Sequence, residues 1–141
     1  QKTFENLVVV DLSRYLLGAY VSLYFADLGA RVIKVEDTKT GDLVRGEHPQ
    51  VNGESYYHYA LNRNKESVSL ISKILKYKHA SMTLLRKQML VENYRPGVAK
   101  RLGIDFETLH EINPKLVYVS ISAYGQNDPR SLECLHDINI R

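Results

Sequence analysis

The chain is short of most features that would announce a function. Its single cysteine, Cys134, excludes a disulfide framework and a cysteine-based zinc site, and fits a reducing compartment. Charge of one sign is scarce: nineteen Lys and Arg against sixteen Asp and Glu leave +3, too little for the basic face of a nucleic-acid binder. No apolar run approaches the roughly 18 residues of a membrane span. Gln1 to Asn6 lack the basic stretch and apolar region of a signal peptide. The expectation is a soluble, cytoplasmic protein. With 141 residues, 44% hydrophobic and 25% charged, the chain has enough material for a single domain, residues 1–141, and not for a pair.

Catalytic signatures are also missing. His48, His58, His79, His110 and His136 are scattered, with no H-E-x-x-H pair, so no metal site is expected. There is no G-x-S-x-G elbow for a serine nucleophile. The segment Asp11-Leu12-Ser13-Arg14-Tyr15-Leu16-Leu17-Gly18 has its glycine too late for a G-x-G-x-x-G phosphate turn. Asp11 and Glu36 therefore read as strand-end polar residues rather than as parts of a dinucleotide site.

What is present is alternation of strands and helices. Leu7-Val8-Val9-Val10-Asp11 predicts a strand buried on both faces. Residues 15–28 predict a helix that is apolar almost all round, closed by Gly29, and suited to burial or an interface. Arg31-Val32-Ile33-Lys34-Val35-Glu36 predicts the next strand, completing a βαβ unit. Residues 37–54 read as a long surface loop. Further strands are expected at 67–70, 89–92 and 116–121, an amphipathic helix at 72–87, and a short helix from Asp105 to about Glu111. Residues 123–141 read as loop. The fold class is α/β, doubly wound, with a mostly parallel sheet. That sheet looks incomplete, because no helix follows its last strand.

A few residues have chemical potential. Lys73, Lys76, Lys78, Arg86 and Lys87 share one predicted helix, as a solvated face or as a bed for a phosphate-rich ligand. Asn93, Tyr94, Arg95 and Arg101 surround Pro96-Gly97 after a strand, where open α/β sheets bind ligands. There Tyr94 could stack on a base and the arginines could pair with phosphates; an ordinary turn is the alternative. His136-Asp137 could form a proton-transfer pair, although the dipeptide is common. Cys134 beside Glu133 reads as an inert thiol.

Taken in order, the motifs resemble a known family. Val9-Val10-Asp11-Leu12-Ser13-Arg14, Ala26-Asp27-Leu28-Gly29-Ala30, Val32-Ile33-Lys34-Val35-Glu36, Leu61-Asn62-Arg63-Asn64-Lys65, Leu90-Val91-Glu92-Asn93-Tyr94-Arg95-Pro96-Gly97-Val98, Ser122-Ala123-Tyr124-Gly125-Gln126 and His136-Asp137-Ile138-Asn139 resemble the amino-terminal portion of class III CoA-transferases. This is the CaiB/BaiF family, which includes the alpha-methylacyl-CoA racemases. The resemblance implies a Rossmann-like domain and coenzyme A, or its acyl thioester, as substrate. It implies CoA contacts at Leu16, Leu17, Leu70, Lys73, Asn93, Tyr94, Arg95 and Arg101. His136 and Asp137 would face the thioester, and the His-Asp-Ile-Asn run is closer to the racemase branch, where histidine exchanges the proton alpha to the carbonyl.

The chain also departs from the family. Asp37 stands where an arginine toward the CoA adenosine is frequent, Gly18-Ala19-Tyr20 replaces Gly-Pro-Tyr, and residues 71–88 fit poorly. The family's essential aspartate lies a few dozen residues beyond Asp137. The resemblance therefore implies a piece that is catalytically incomplete alone, covered by a second copy as a homodimer or by a complementing carboxyl-terminal fragment. CoA transfer between acids, or a non-catalytic remnant that binds CoA or self-associates, are the alternatives.

Overall fold

The computed structural model describes residues 3–70, 88–131 and 133. Its centre is a five-stranded sheet of order β5-β2-β1-β6-β7, from β1 (Val8–Asp11), β2 (Arg31–Glu36), β5 (Lys65–Ser69), β6 (Met89–Glu92) and β7 (Val117–Ser120). Every pairing in it is parallel. The chain winds outward from β1 through β2 to β5, then returns to the other side of β1 for β6 and β7. Strand order thus reverses between β1 and β6, which makes a topological switch point there.

Alternation along the strands sorts the core onto opposite faces. Val9, Val32, Met89 and Val91 pack with Ala26 and Ala30 beneath helix α1 (Tyr15–Asp27). Val10, Leu12 and Leu90 pack with Ile104, Leu109 and Leu116 on the opposite face, below α3 (Val98–Leu102) and α4 (Phe106–Ile112). Asp105 caps α4, its carboxylate accepting from the Thr108 amide at 3.2 Å. Both faces of the central strands are therefore covered, as parallel sheets require.

Residues 37–54 are more ordered than a loop. They hold a short 3-10 helix (Leu43–Gly46), and β3 (Gln50–Val51) pairs antiparallel with β4 (Glu54–Ser55). The short α2 (Tyr56–Asn62) follows, and β5 begins at Lys65 rather than at residue 67. Within this chain α1 is buried on one side only: Leu17, Tyr20 and Tyr24 are exposed, Tyr20 at 66%, which leaves the interface alternative for that face. The predicted helix at 72–87 lies outside the described residues. No helix among those described is long and apolar enough to cross a membrane.

Candidate functional site

A shallow cleft opens at the carboxyl ends of the strands, beside the switch point. Ser13, Arg14, Val35, Glu36, Asp37, Gly41, Asp42, Leu70 and Tyr94 line it. Ser13 and Arg14 follow β1, Glu36 ends β2 and Asp37 follows it, Leu70 follows β5 and Tyr94 follows β6, so four parallel strands deliver residues at their carboxyl ends to one place.

The turn after β1 is held from several sides. The Asn93 amide accepts from the Arg14 backbone N–H at 2.8 Å and donates to the Arg14 carbonyl at 2.7 Å. Gly18 lets the turn fold back onto α1: a Cβ there would lie 2.2 Å from Ser13 Cβ. This glycine serves packing, not phosphate. Above the clamp, the Arg14 guanidinium lies 5.7 Å from the centre of the Tyr94 ring, a cation–π arrangement. Burial, the main cause, pushes the Tyr94 phenol above its usual range, and so it stays neutral.

Beneath the cleft is a buried ionic cluster that sequence reasoning did not find. Lys34 Nζ lies 2.8 Å from Asp42 and 3.7 Å from Asp11, and donates to the Ser13 carbonyl at 2.6 Å. Lys65 Nζ donates to Asp11 at 3.2 Å, to the Ala19 carbonyl at 2.8 Å and to Asn62 at 3.1 Å. Burial brings the Lys65 ammonium down to about 8, with the Asp11 charge opposing. Asp11 also accepts from the Ser13 amide and the Ser22 hydroxyl. Its carboxylate is thereby committed inside the protein.

Glu36 is committed too. Arg45 donates to both of its oxygens at 2.8 and 2.9 Å, Ser67 donates at 2.8 Å, and the Asp42 amide at 2.9 Å. Arg45 chiefly holds the Glu36 carboxyl down at about 2. With its lone pairs occupied, Glu36 cannot serve as a ribose acid, and both strand-end acids are structural.

Of the residues expected at the site, Leu70 and Tyr94 line the cleft, and Asn93 forms its clamp. Leu16 and Leu17 fall on the first turn of α1, Leu17 48% exposed, and neither lines the cleft. Arg95 and Arg101 are exposed beyond it, Arg101 on α3. Lys73, His136 and Asp137 lie outside the described residues. Asp37, at the position where the family resemblance places an arginine toward the CoA adenosine, lines the cleft, and Arg14 completes it without having been singled out as a ligand contact; its position just past a strand end was the available signal. Among the described residues no group of three or more His, Cys, Asp or Glu is placed to hold a metal ion.

The model of CoA-transferase family III matches residues 4–141. Acetyl-CoA:oxalate CoA-transferase of Acetobacter aceti is 42% identical over 127 residues, which are 89% of this chain and 33% of that protein. Succinyl-CoA:glutarate CoA-transferase of Homo sapiens is 38% identical over 138 residues, 96% of this chain and 32% of that one. The crystal structure of a CaiB/BaiF family protein from Brucella suis superposes with a TM-score of 0.88 at 33% identity, covering 97% of this chain and 38% of its own. The chain thus spans about a third of the length of these relatives. Family model, relatives and fold agree, and the chain belongs to CoA-transferase family III.

Proposed function

We propose that these residues form the CoA-binding part of an enzyme that moves CoA between carboxylic acids in the cytoplasm. The observation behind this reading is the cleft at the switch point, where Arg14 and Tyr94 form a stack and Leu70 offers an apolar wall. A stacked guanidinium and ring suit a flat base, and Arg95 and Arg101, exposed in the segment that follows β6, suit phosphates. CoA supplies both groups.

Transfer is favoured over racemisation because the relatives above are named as transferases acting on acetyl-CoA with oxalate or succinyl-CoA with glutarate. Family transferases use a carboxylate that attacks the thioester, forming a mixed anhydride and releasing CoA as thiolate. The family resemblance puts that carboxylate beyond residue 141, so these residues alone would bind CoA without turning it over. His136 beside Asp137 supports a second reading, exchange of the proton alpha to the thioester. Deuterium wash-in from solvent, measured on an acyl-CoA beside thioester exchange with oxalate or glutarate, separates the readings once the carboxyl-terminal part is supplied. We further propose that a second copy or that carboxyl-terminal part covers the exposed face of α1.

Calorimetric titration of the 141-residue chain with CoA tests the binding reading. Saturable binding, weakened in Tyr94→Ala and Arg101→Ala, is expected. A folded chain that binds no CoA would overturn it.

A further inference from the structure

Three strands of the sheet end in a buried acid: Asp11 on β1, Glu36 on β2 and Glu92 on β6. Asp11 meets the ammonium groups of Lys34 and Lys65, and Glu36 meets the Arg45 guanidinium. Glu92 is only 1% exposed, and its partner is a backbone amide instead. Its Oε2 accepts from the Tyr94 N–H, two residues on, at 2.7 Å. Its own carbonyl accepts from the Ile121 amide at 2.9 Å, which ties the end of β6 to the end of β7. Tyr118 of β7 completes the surroundings. Burial first, and the Glu92 charge second, push its phenol above the usual range, so it stays protonated beside the carboxylate.

The consequence falls on the cleft. The pairing of β6 with β7 ends at Glu92 and Ser120, so the ladder does not reach the Tyr94 amide. A bond from that amide to a carboxylate is charge-assisted, and a firmer tether than a neutral one. Tyr94 lines the cleft, and the centre of its ring lies 5.7 Å from the Arg14 guanidinium. We propose that Glu92 is a positioning residue of the cleft: its carboxylate fixes the Tyr94 backbone so that the ring stands against Arg14, and it governs nucleotide binding without touching the ligand. The effect on the ligand rests on the CoA-binding reading above, whereas the positioning itself is visible in the free protein.

The test uses the full 141-residue chain, without ligand and then with CoA. Glu92→Met keeps the length of the side chain and drops the acceptor. In it the Arg14 Nε–H resonance should move toward that of a free arginine before any ligand is added. Calorimetry should then show CoA bound about tenfold more weakly. Glu92→Gln keeps an acceptor for the amide, and should return the resonance and bring the affinity to within about twofold of wild type. In a Tyr94→Ala background Glu92→Met should cost no further affinity, because its effect passes through the ring. A loss there as large as in the wild-type background, or an unmoved Arg14 resonance in folded Glu92→Met, would overturn the inference. Hydrogen exchange on the wild type covers a variant that does not fold: the Tyr94 amide should be protected, and exchange as fast as in an open loop would overturn the inference. A wild type that binds no CoA, while Glu92→Met still moves the Arg14 resonance, would overturn the CoA-binding reading and leave the positioning role standing.

Discussion

At the scale of single residues, Gly18 and Glu36 show how the cleft is kept in shape without touching a ligand. Gly18→Ala would push a Cβ to 2.2 Å from Ser13 Cβ, an atom fixed by the backbone of the turn. The turn or α1 must shift, at a cost of about 2 kcal/mol, and the urea midpoint should fall accordingly. Glu36 makes stability depend on acid. Its folded-state value of about 2 lies below the ordinary 4.5, so the unfolded chain takes up the proton first. The Glu36–Arg45 pair then contributes fully above about pH 4.5 and is lost as pH falls toward 2. Allowing for an Arg45 side chain 38% exposed, the loss is of order 2 kcal/mol. Thermal unfolding between pH 5 and 2.5 should show this slope in the wild type and a flatter one in Glu36→Gln. These roles were only partly legible in sequence. The absence of a phosphate turn at Gly18 was visible, but the contact that requires glycine depends on how the turn folds back. Arg14 looks like an ordinary polar residue until parallel strands bring their ends together.

Among the elements, legibility followed burial. Apolar runs marked β1, β2 and β6, because strands covered on both faces need hydrophobic residues at successive positions. The start of β5 was hidden: Lys65 is buried through Asp11, Ala19 and Asn62, a pairing that hydrophobic pattern cannot reveal. Helix α2 buries Leu61 and exposes Tyr56, Tyr57 and Tyr59, so it has no apolar stripe to read. Helix α3 has only five residues, set between Gly97 and Gly103 in left-handed conformations at φ 80° and 69°. Lys65 links β5 to β1 and to the first turns of α1. Lys65→Met should therefore cost about 3 kcal/mol in urea denaturation, since it removes one partner of a buried ion pair and leaves Asp11 less compensated. Asn93 links β6 to the turn after β1 in the same manner. Asn93→Ala breaks both hydrogen bonds to the Arg14 backbone and releases the guanidinium from its place over Tyr94. Calorimetry should show CoA affinity lowered roughly tenfold by the lost positioning, with circular dichroism unchanged.

For the whole molecule, the strand order β5-β2-β1-β6-β7 explains why a ligand site forms at all. Reversal between β1 and β6 makes a topological switch point, where open α/β sheets bind ligands, and the cleft lies beside it. The doubly wound class was readable from the order of elements, and the family from motifs spread along the chain. The switch point itself needed the pairing of β1 with β6, which are distant in sequence. Outside the cleft, Leu17, Tyr20 and Tyr24 form an apolar exposed face on α1. With a second copy as occupant, sedimentation velocity should show concentration-dependent association that Tyr20→Ser/Tyr24→Ser abolishes; a monomer at every concentration would leave the carboxyl-terminal part as the cover. On the proposed reading, the cleft at the carboxyl ends of the strands receives the nucleotide end of CoA. Amide chemical-shift mapping on the labelled chain during CoA titration is the decisive experiment. Saturating shifts are expected at Arg14, Asp37, Leu70 and Tyr94, with the amides of Tyr56 and Tyr59 unmoved. Shifts confined to α2, or none in the cleft at saturating CoA, would contradict it.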